Sequence, residues 1–309
     1  MKEIGISGKE AGIRLDKYLN KLLPAAGSSF LYKMLRKKNI VLCEAKASGR
    51  EILKDGDVIK IYFSDETYEK MSGRGEADEL RLKRGRQAYR EIRNVGILFE
   101  NGDLLFADKP EGLLTQSDGG GELSLNDWLL GYVLEKKGEL DPKQLPSVMN
   151  RLDRNTSGIV MCGLSYAGSR FLADTIKSGG LKKLYLALAE GELRGEAVLK
   201  GYLMKDEAVN KVSISDKAEG SPVVTRYRVL ENREGHTLLE VELESGKSHQ
   251  IRAHLAHIGH PLAGDIKYGG HPYKGKSTQR LHAYKLVFPI MENDVMDMSG
   301  RVIESRCSF

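Results

Sequence analysis

Cysteine is scarce in this chain of 309 residues. Cys43, Cys162 and Cys307 are far apart, odd in number, and no pair has the spacing of a metal-ligand motif. That excludes a disulfide-stapled secreted scaffold and a Cys-based zinc module, and fits reduced thiols in a reducing compartment. Long apolar runs are missing too: nothing approaches the ~18 consecutive residues of a membrane-spanning helix. The opening Met1-Lys2-Glu3-Ile4-Gly5 has no apolar stretch of signal-peptide length, so a cytoplasmic, non-membrane protein is expected. Internal repeats and low-complexity tracts are also lacking, which excludes solenoids and arrays.

Charge is present but uneven. Residues 1–75 hold 15 Lys and Arg against 10 Asp and Glu, while the remaining 234 carry 33 of each, so the net +5 belongs to the N-terminal quarter. A small basic module on a neutral body suits a protein in which one part grips a polyanion and another does chemistry. Leu15, Leu19, Leu22 and Leu23 repeat at helical spacing up to Pro24. Ser28-Ser29 is expected to cap a second helix containing Phe30, Leu31, Met34 and Leu35 and carrying Lys33, Arg36, Lys37 and Lys38. Strands are expected at 39–43 and 57–63, around the turn Lys54-Asp55-Gly56-Asp57. Residues 65–88, polar and interspersed with Gly73, Gly75 and Gly85, read as a basic linker.

A larger body follows over 89–309. Residues 97–110 read as a hairpin around Asn101-Gly102. Helices are expected at 125–136 and 167–176, and strands at 159–163, 183–188, 223–230, 237–243 and 284–288. Many strands and few helices argue for an α+β fold with a mixed sheet rather than a βαβ repeat.

Two segments carry candidate chemistry. Asn150-Arg151-Leu152-Asp153-Arg154-Asn155-Thr156-Ser157-Gly158 packs a carboxylate between two arginines just before a buried strand. Flanking cations favour an ionised acid, suited to a nucleophile or to a stabiliser of developing positive charge. The same pattern also fits a local ion pair with a capping Asp. In Gly246-Lys247-Ser248-His249-Gln250-Ile251-Arg252-Ala253-His254-Leu255-Ala256-His257, His254 and His257 share a helix face. Without a Cys or HExxH partner they read as capping or packing residues, and no metal site is expected.

Taken together these segments resemble the RluA-type pseudouridine synthase family. The resemblance rests on Arg151 to Gly158, on Lys183-Leu184-Tyr185-Leu186-Ala187, on Gly246 to His254 with Gly259 to Asp265, on Arg280-Leu281-His282-Ala283, and on Asp108 to Leu114. It departs at Asn150, Asn155 and Lys247, where the family commonly has His, an acid and Arg. The resemblance implies a catalytic domain on a mixed, mainly antiparallel sheet with flanking helices. It implies Asp153 as catalytic aspartate and Tyr185 as active-site tyrosine, stacking on or hydrogen-bonding the uracil and assisting proton removal. Arg252 would be the arginine that pairs with the aspartate, and Leu281 an apolar wall. Arg151 would fill the gap left by a flipped-out base. Residues 12–64 resemble an S-four-type RNA-binding domain, with Lys33, Arg36, Lys37 and Lys38 facing phosphates. The expected partner is ribosomal RNA, large-subunit RNA above all, with a monomeric enzyme and no cofactor.

Overall fold

The computed structural model describes residues 1–8, 10–72, 76–138, 140, 145–206, 211–294 and 296–307. Gly73 and Gly75 of the expected linker lie outside the described residues. The chain divides into two compact units: residues 1–91, 127–146 and 164–167 form one, and residues 92–126, 147–163 and 168–309 the other.

In the first unit, β1 (Lys2–Gly5) precedes α1 (Leu15–Leu22) and α2 (Ser28–Arg36); β2 (Ile40–Leu42), β3 (Ala45–Lys46) and β4 (Val58–Ile61) complete a four-stranded sheet of order β1-β4-β2-β3. The leucines at helical spacing are its core: Leu15, Leu19, Leu23, Leu31 and Leu35 are buried with Ile40, Leu53, Ile59 and Ile61. α1 is tied to α2 through Asp16. Its carboxylate accepts hydrogen bonds from Arg14 Nε at 3.0 Å, Lys17 N at 2.8 Å and Tyr32 Oη at 2.8 Å. The Arg14 guanidinium, with these other donors, holds that carboxyl down at about 2. The expected Ser28-Ser29 cap is corrected: Gly27 is the N-cap, and no side chain caps the helix.

The stretch 65–88 is not an open linker. It carries α3 (Asp65–Ser72) and most of α4 (Glu76–Glu91). α4 packs on α5 (Leu125–Lys137) where two glycines meet; a Cβ on Gly131 would stand 2.1 Å from the carbonyl oxygen of Gly85. Beside this crossing Trp128 stacks on Tyr132 and Tyr89 meets both at an angle, and Arg84 pairs with Asp127 at 3.1 Å.

The second unit is built on one eleven-stranded sheet. Its strands are β5 (Gly96–Glu100), β6 (Leu104–Lys109), β7 (Ser147–Val148), β8 (Ser157–Gly163), β9 (Lys182–Glu190), β10 (Glu196–Asp206), β11 (Lys211–Ser215), β12 (Ser221–Arg233), β13 (His236–Leu243), β14 (Leu281–Val287) and β15 (Val302–Glu304). The order is β11-β10-β12-β13-β9-β14-β8-β6-β5, with β15 on β14 and β7 on β8. Among the described pairings only β14 with β8 is parallel, so the sheet is mixed and mainly antiparallel as expected. α6 (Tyr166–Lys177) and α7 (Gln250–His257) complete the elements, with a 3₁₀ turn at Ile266–Tyr268.

The β5–β6 hairpin turns on Asn101, whose Oδ1 accepts from the backbone N–H of Asp103 (3.0 Å) and Leu104 (2.8 Å). The parallel β8–β14 contact depends on Gly158, which has φ +109°. A Cβ there would stand 2.2 Å from the carbonyl oxygen of Ala283. This close approach fixes the strand that directly follows Asp153.

Candidate active site

Asp153 lies in the loop between β7 and β8, and the loop is held from three sides. Thr115 Oγ1 donates to the carbonyl of Leu152 at 2.8 Å and accepts from Leu152 N at 3.1 Å. Asn150 Oδ1 accepts from Met161 N at 2.7 Å. Lys109 is fully buried, and its ammonium donates to the carbonyls of Pro110 (3.0 Å), Leu113 (2.8 Å) and Arg154 (2.9 Å). Burial pushes this ammonium down to about 7, opposed by Asp153 and Glu111. Its three N–H groups all find carbonyls, so Lys109 ties the end of β6 to the Asp153 loop.

The cation at Asp153 is Arg252, not its sequence neighbours. Arg252 Nη1 donates to Asp153 Oδ2 at 3.0 Å. The same guanidinium forks onto Asp265, with Nε to Oδ2 at 2.7 Å and Nη2 to Oδ1 at 2.8 Å, and sits 4.8 Å over the Tyr268 ring. The expectation that Arg151 and Arg154 flank the acid as counter-charges is corrected. Arg154 turns to Glu122, at 2.6 and 2.9 Å, and lies 3.8 Å from Asp118. Arg151 is exposed, with no ion-pair partner among the described residues.

Sequence reasoning gave His249 no role. It stands at the N-cap of α7 in the left-handed region (φ +54°), with Nε2 3.7 Å from Asp153 Oδ2 and Nδ1 2.9 Å from Tyr268 Oη. Gln250 anchors this turn: its Oε1 accepts from Ser245 Oγ (3.0 Å) and Lys247 N (3.2 Å), and its Nε2 donates to Val224 O (3.0 Å). A histidine three residues before Arg252 was visible in the sequence. Its link to Tyr268 was not.

Asp153, His249, Gln250 and Arg252 line one cleft of about 1000 Å³ in the second unit, together with Arg151, Lys183, Tyr185, Lys247, Asp265 and Leu281. Lys183 and Tyr185 are two apart on β9 and share its cleft face. Burial raises the Tyr185 phenol well above its ordinary range, and the charge of Asp153 adds to this. The phenol therefore stays protonated at neutral pH. Leu281 is buried opposite Ala187, packed with Leu255 and Leu262. So Asp153, Tyr185, Arg252, Leu281 and Arg151 come together at one cleft. Lys33, Arg36, Lys37 and Lys38 are exposed on and just beyond α2 in the first unit.

His254 is buried, with Nδ1 2.7 Å from Thr225 Oγ1, and burial holds it down at about 4. His257 is half-exposed, 3.9 Å from Asp216. The pair therefore divides between packing and the surface.

Residues 103–257 match the family described as RNA pseudouridylate synthase. The chain is 31% identical over 267 residues to "Ribosomal large subunit pseudouridine synthase D" of Nitrosomonas europaea, an alignment covering 86% of this chain and 72% of the relative. It is 30% identical over 298 residues to "Ribosomal large subunit pseudouridine synthase C" of Yersinia pestis, covering 92% and 87%. In fold it is similar to human RNA Pseudouridylate Synthase Domain Containing 1, with a TM-score of 0.55 at 20% identity over 70% of this chain and 85% of that one. The matched segment spans the Asp153 loop, β9 and α7, and on these similarities the chain belongs to the RNA pseudouridylate synthase family.

Proposed function

We propose that this protein isomerises specific uridines of ribosomal RNA to pseudouridine, with large-subunit RNA as the substrate class and Asp153 as the catalytic carboxylate. The observation that carries the reading is the Asp153–Arg252 pair at 3.0 Å, in a cleft that also presents Tyr185 and Leu281. Relatives named as large-subunit ribosomal enzymes support the substrate class.

In the reaction the bond from uracil N1 to the sugar C1′ breaks, the base turns, and C5 bonds to C1′. The C5 proton leaves and N1 gains one. Atoms balance without redox or group transfer, so the reading requires no cofactor. Positive charge develops at C1′ as the base departs, and an ionised carboxylate beside that carbon stabilises it or bonds to it. Arg252, itself fixed by Asp265, orients Asp153 for that task. The protonated Tyr185 hydroxyl donates to the uracil or lies against it. Leu281 supplies an apolar wall. A uridine within folded RNA must leave its stack, and the exposed guanidinium of Arg151 fills the space left behind. Residues 12–64 serve as an S-four-type RNA-binding domain through Lys33, Arg36, Lys37 and Lys38, which grip phosphates without choosing sequence.

The test is tritium release from RNA carrying [5-³H]uridine. Wild-type protein is expected to release tritium from large-subunit ribosomal RNA, and Arg151→Ala to lose at least about tenfold on folded RNA. Absence of release from large-subunit, small-subunit and transfer RNA alike overturns the enzymatic reading. Undiminished activity and affinity of Arg151→Ala overturns the gap-filling role.

A further inference from the structure

Among the described residues, His249 is the only imidazole lining the cleft. It is held there at a backbone cost, because the left-handed region is strained for a non-glycine residue and such strain gathers at functional positions. Tyr268 Oη accepts from Val212 N at 3.1 Å, which leaves the phenol proton available to His249 Nδ1, 2.9 Å away. With Nδ1 accepting, the proton of the neutral ring sits on Nε2, the nitrogen 3.7 Å from Asp153 Oδ2. Arg252 Nη1 already binds that same oxygen. Arg252 thus donates to Oδ2, and His249 Nε2 faces the same oxygen from just beyond hydrogen-bond length. Oδ1 takes no hydrogen bond from the described residues.

We propose that His249 is a positioning residue for Asp153: as the neutral Nε2–H tautomer set by Tyr268, it stands beside Arg252 facing Oδ2, closes to a hydrogen bond with that oxygen when RNA binds, and leaves Oδ1 as the oxygen that meets the sugar. The proposal rests on the pseudouridine synthase reading and extends it to one atom.

The groups facing the ring come from several elements: Asp153 before β8, Arg252 on α7, and Asp265, Lys267 and Tyr268 beyond it. Lys211 of β11 lies 5.2 Å over the Tyr268 ring. Burial lowers the imidazole below its ordinary range; Asp153 and Asp265 oppose the shift, and Arg252 and Lys267 add to it. The lowered imidazole favours the neutral ring and takes up its second proton only on acidification. A charged ring carries a proton on Nδ1 as well, which reverses the Tyr268 bond and places a second cation on the carboxylate. Activity then falls on the acid side.

Two measurements test this. The first needs no turnover: ¹⁵N NMR of the full chain is expected to show His249 with Nε2 protonated and Nδ1 pyridine-like at pH 7.5. The opposite tautomer overturns the proposal. The second is single-turnover tritium release by His249→Asn and His249→Gln across pH 5–9, with RNA affinity measured in parallel. Asn tolerates the left-handed backbone, so it removes the ring without adding strain. It is expected to lower the rate at least about tenfold with affinity within about twofold. Gln places an amide N–H near the Nε2 position. It is expected to exceed Asn by at least about fivefold and to lack the wild-type acid limb. An Asn variant within about twofold of wild type, or a Gln variant that does no better than Asn or keeps that limb, overturns it. If wild-type protein releases no tritium, the enzymatic reading fails, and the tautomer measurement still decides the geometry.

Discussion

At the scale of single residues, Arg252 holds the site together. Its guanidinium binds two carboxylates at once, and the Asp265 side chain is only 1% exposed. A lysine keeps the charge but loses the fork. Arg252→Lys is expected to cost about 3 kcal/mol in stability, because Asp265 is left buried and partly unpaired. It is also expected to lower tritium release at least about a hundredfold. Urea unfolding measures the first effect; an unchanged midpoint would contradict the role given to the Asp265 fork. Asp153, Tyr185, Arg252 and Leu281 could be picked out in the sequence because each stands in a contiguous motif. His249 and Lys109 could not be given roles. His249 depends on Tyr268, nineteen residues on, and Lys109 on the Arg154 carbonyl, forty-five residues on. No local pattern announces such partners. Arg154 misled for the same reason, since its carboxylate, Glu122, is thirty-two residues away.

At the scale of elements, Gly158 ties the Asp153 loop to the sheet. Gly158→Ala puts a methyl group against the Ala283 carbonyl in a backbone region that L side chains rarely adopt. It is expected to cost about 3 kcal/mol and to lower activity with stability. Gly102→Ala is the control: open space surrounds the position, and the change is expected to stay within about 0.5 kcal/mol. Equal thermal melting of the two variants would contradict this account of the β8–β14 contact. Elements with apolar periodicity, such as α1, α2 and β13, could be read from sequence because burial imposes that period, and β8 because it is one continuous apolar run. α3 and α4 could not. Their helices are charge-rich, and α4 meets α5 through Gly85 and Gly131 rather than an apolar stripe. The β10–β11 pair also went unread: β10 has a single buried residue, Leu203, and β11 is only five residues long.

At the scale of the whole molecule, the basic excess lies apart in sequence from the cleft residues, so affinity and chemistry are expected to separate on mutation. Replacing Lys33, Arg36, Lys37 and Lys38 together with Ala is expected to weaken RNA binding. The slope of log affinity against log salt should fall by about 3–4, at roughly 0.7–0.9 for each of the four phosphates no longer neutralised. Saturating RNA should restore the rate. An unchanged slope would remove these four side chains from the RNA interface. The complementary measurement tests the catalytic claim itself: Asp153→Asn and wild type compared for tritium release and for RNA affinity on the same large-subunit RNA. Asp153→Asn is expected to bind within about threefold of wild type and to release no tritium above background. Release by Asp153→Asn at a rate near wild type would contradict that claim.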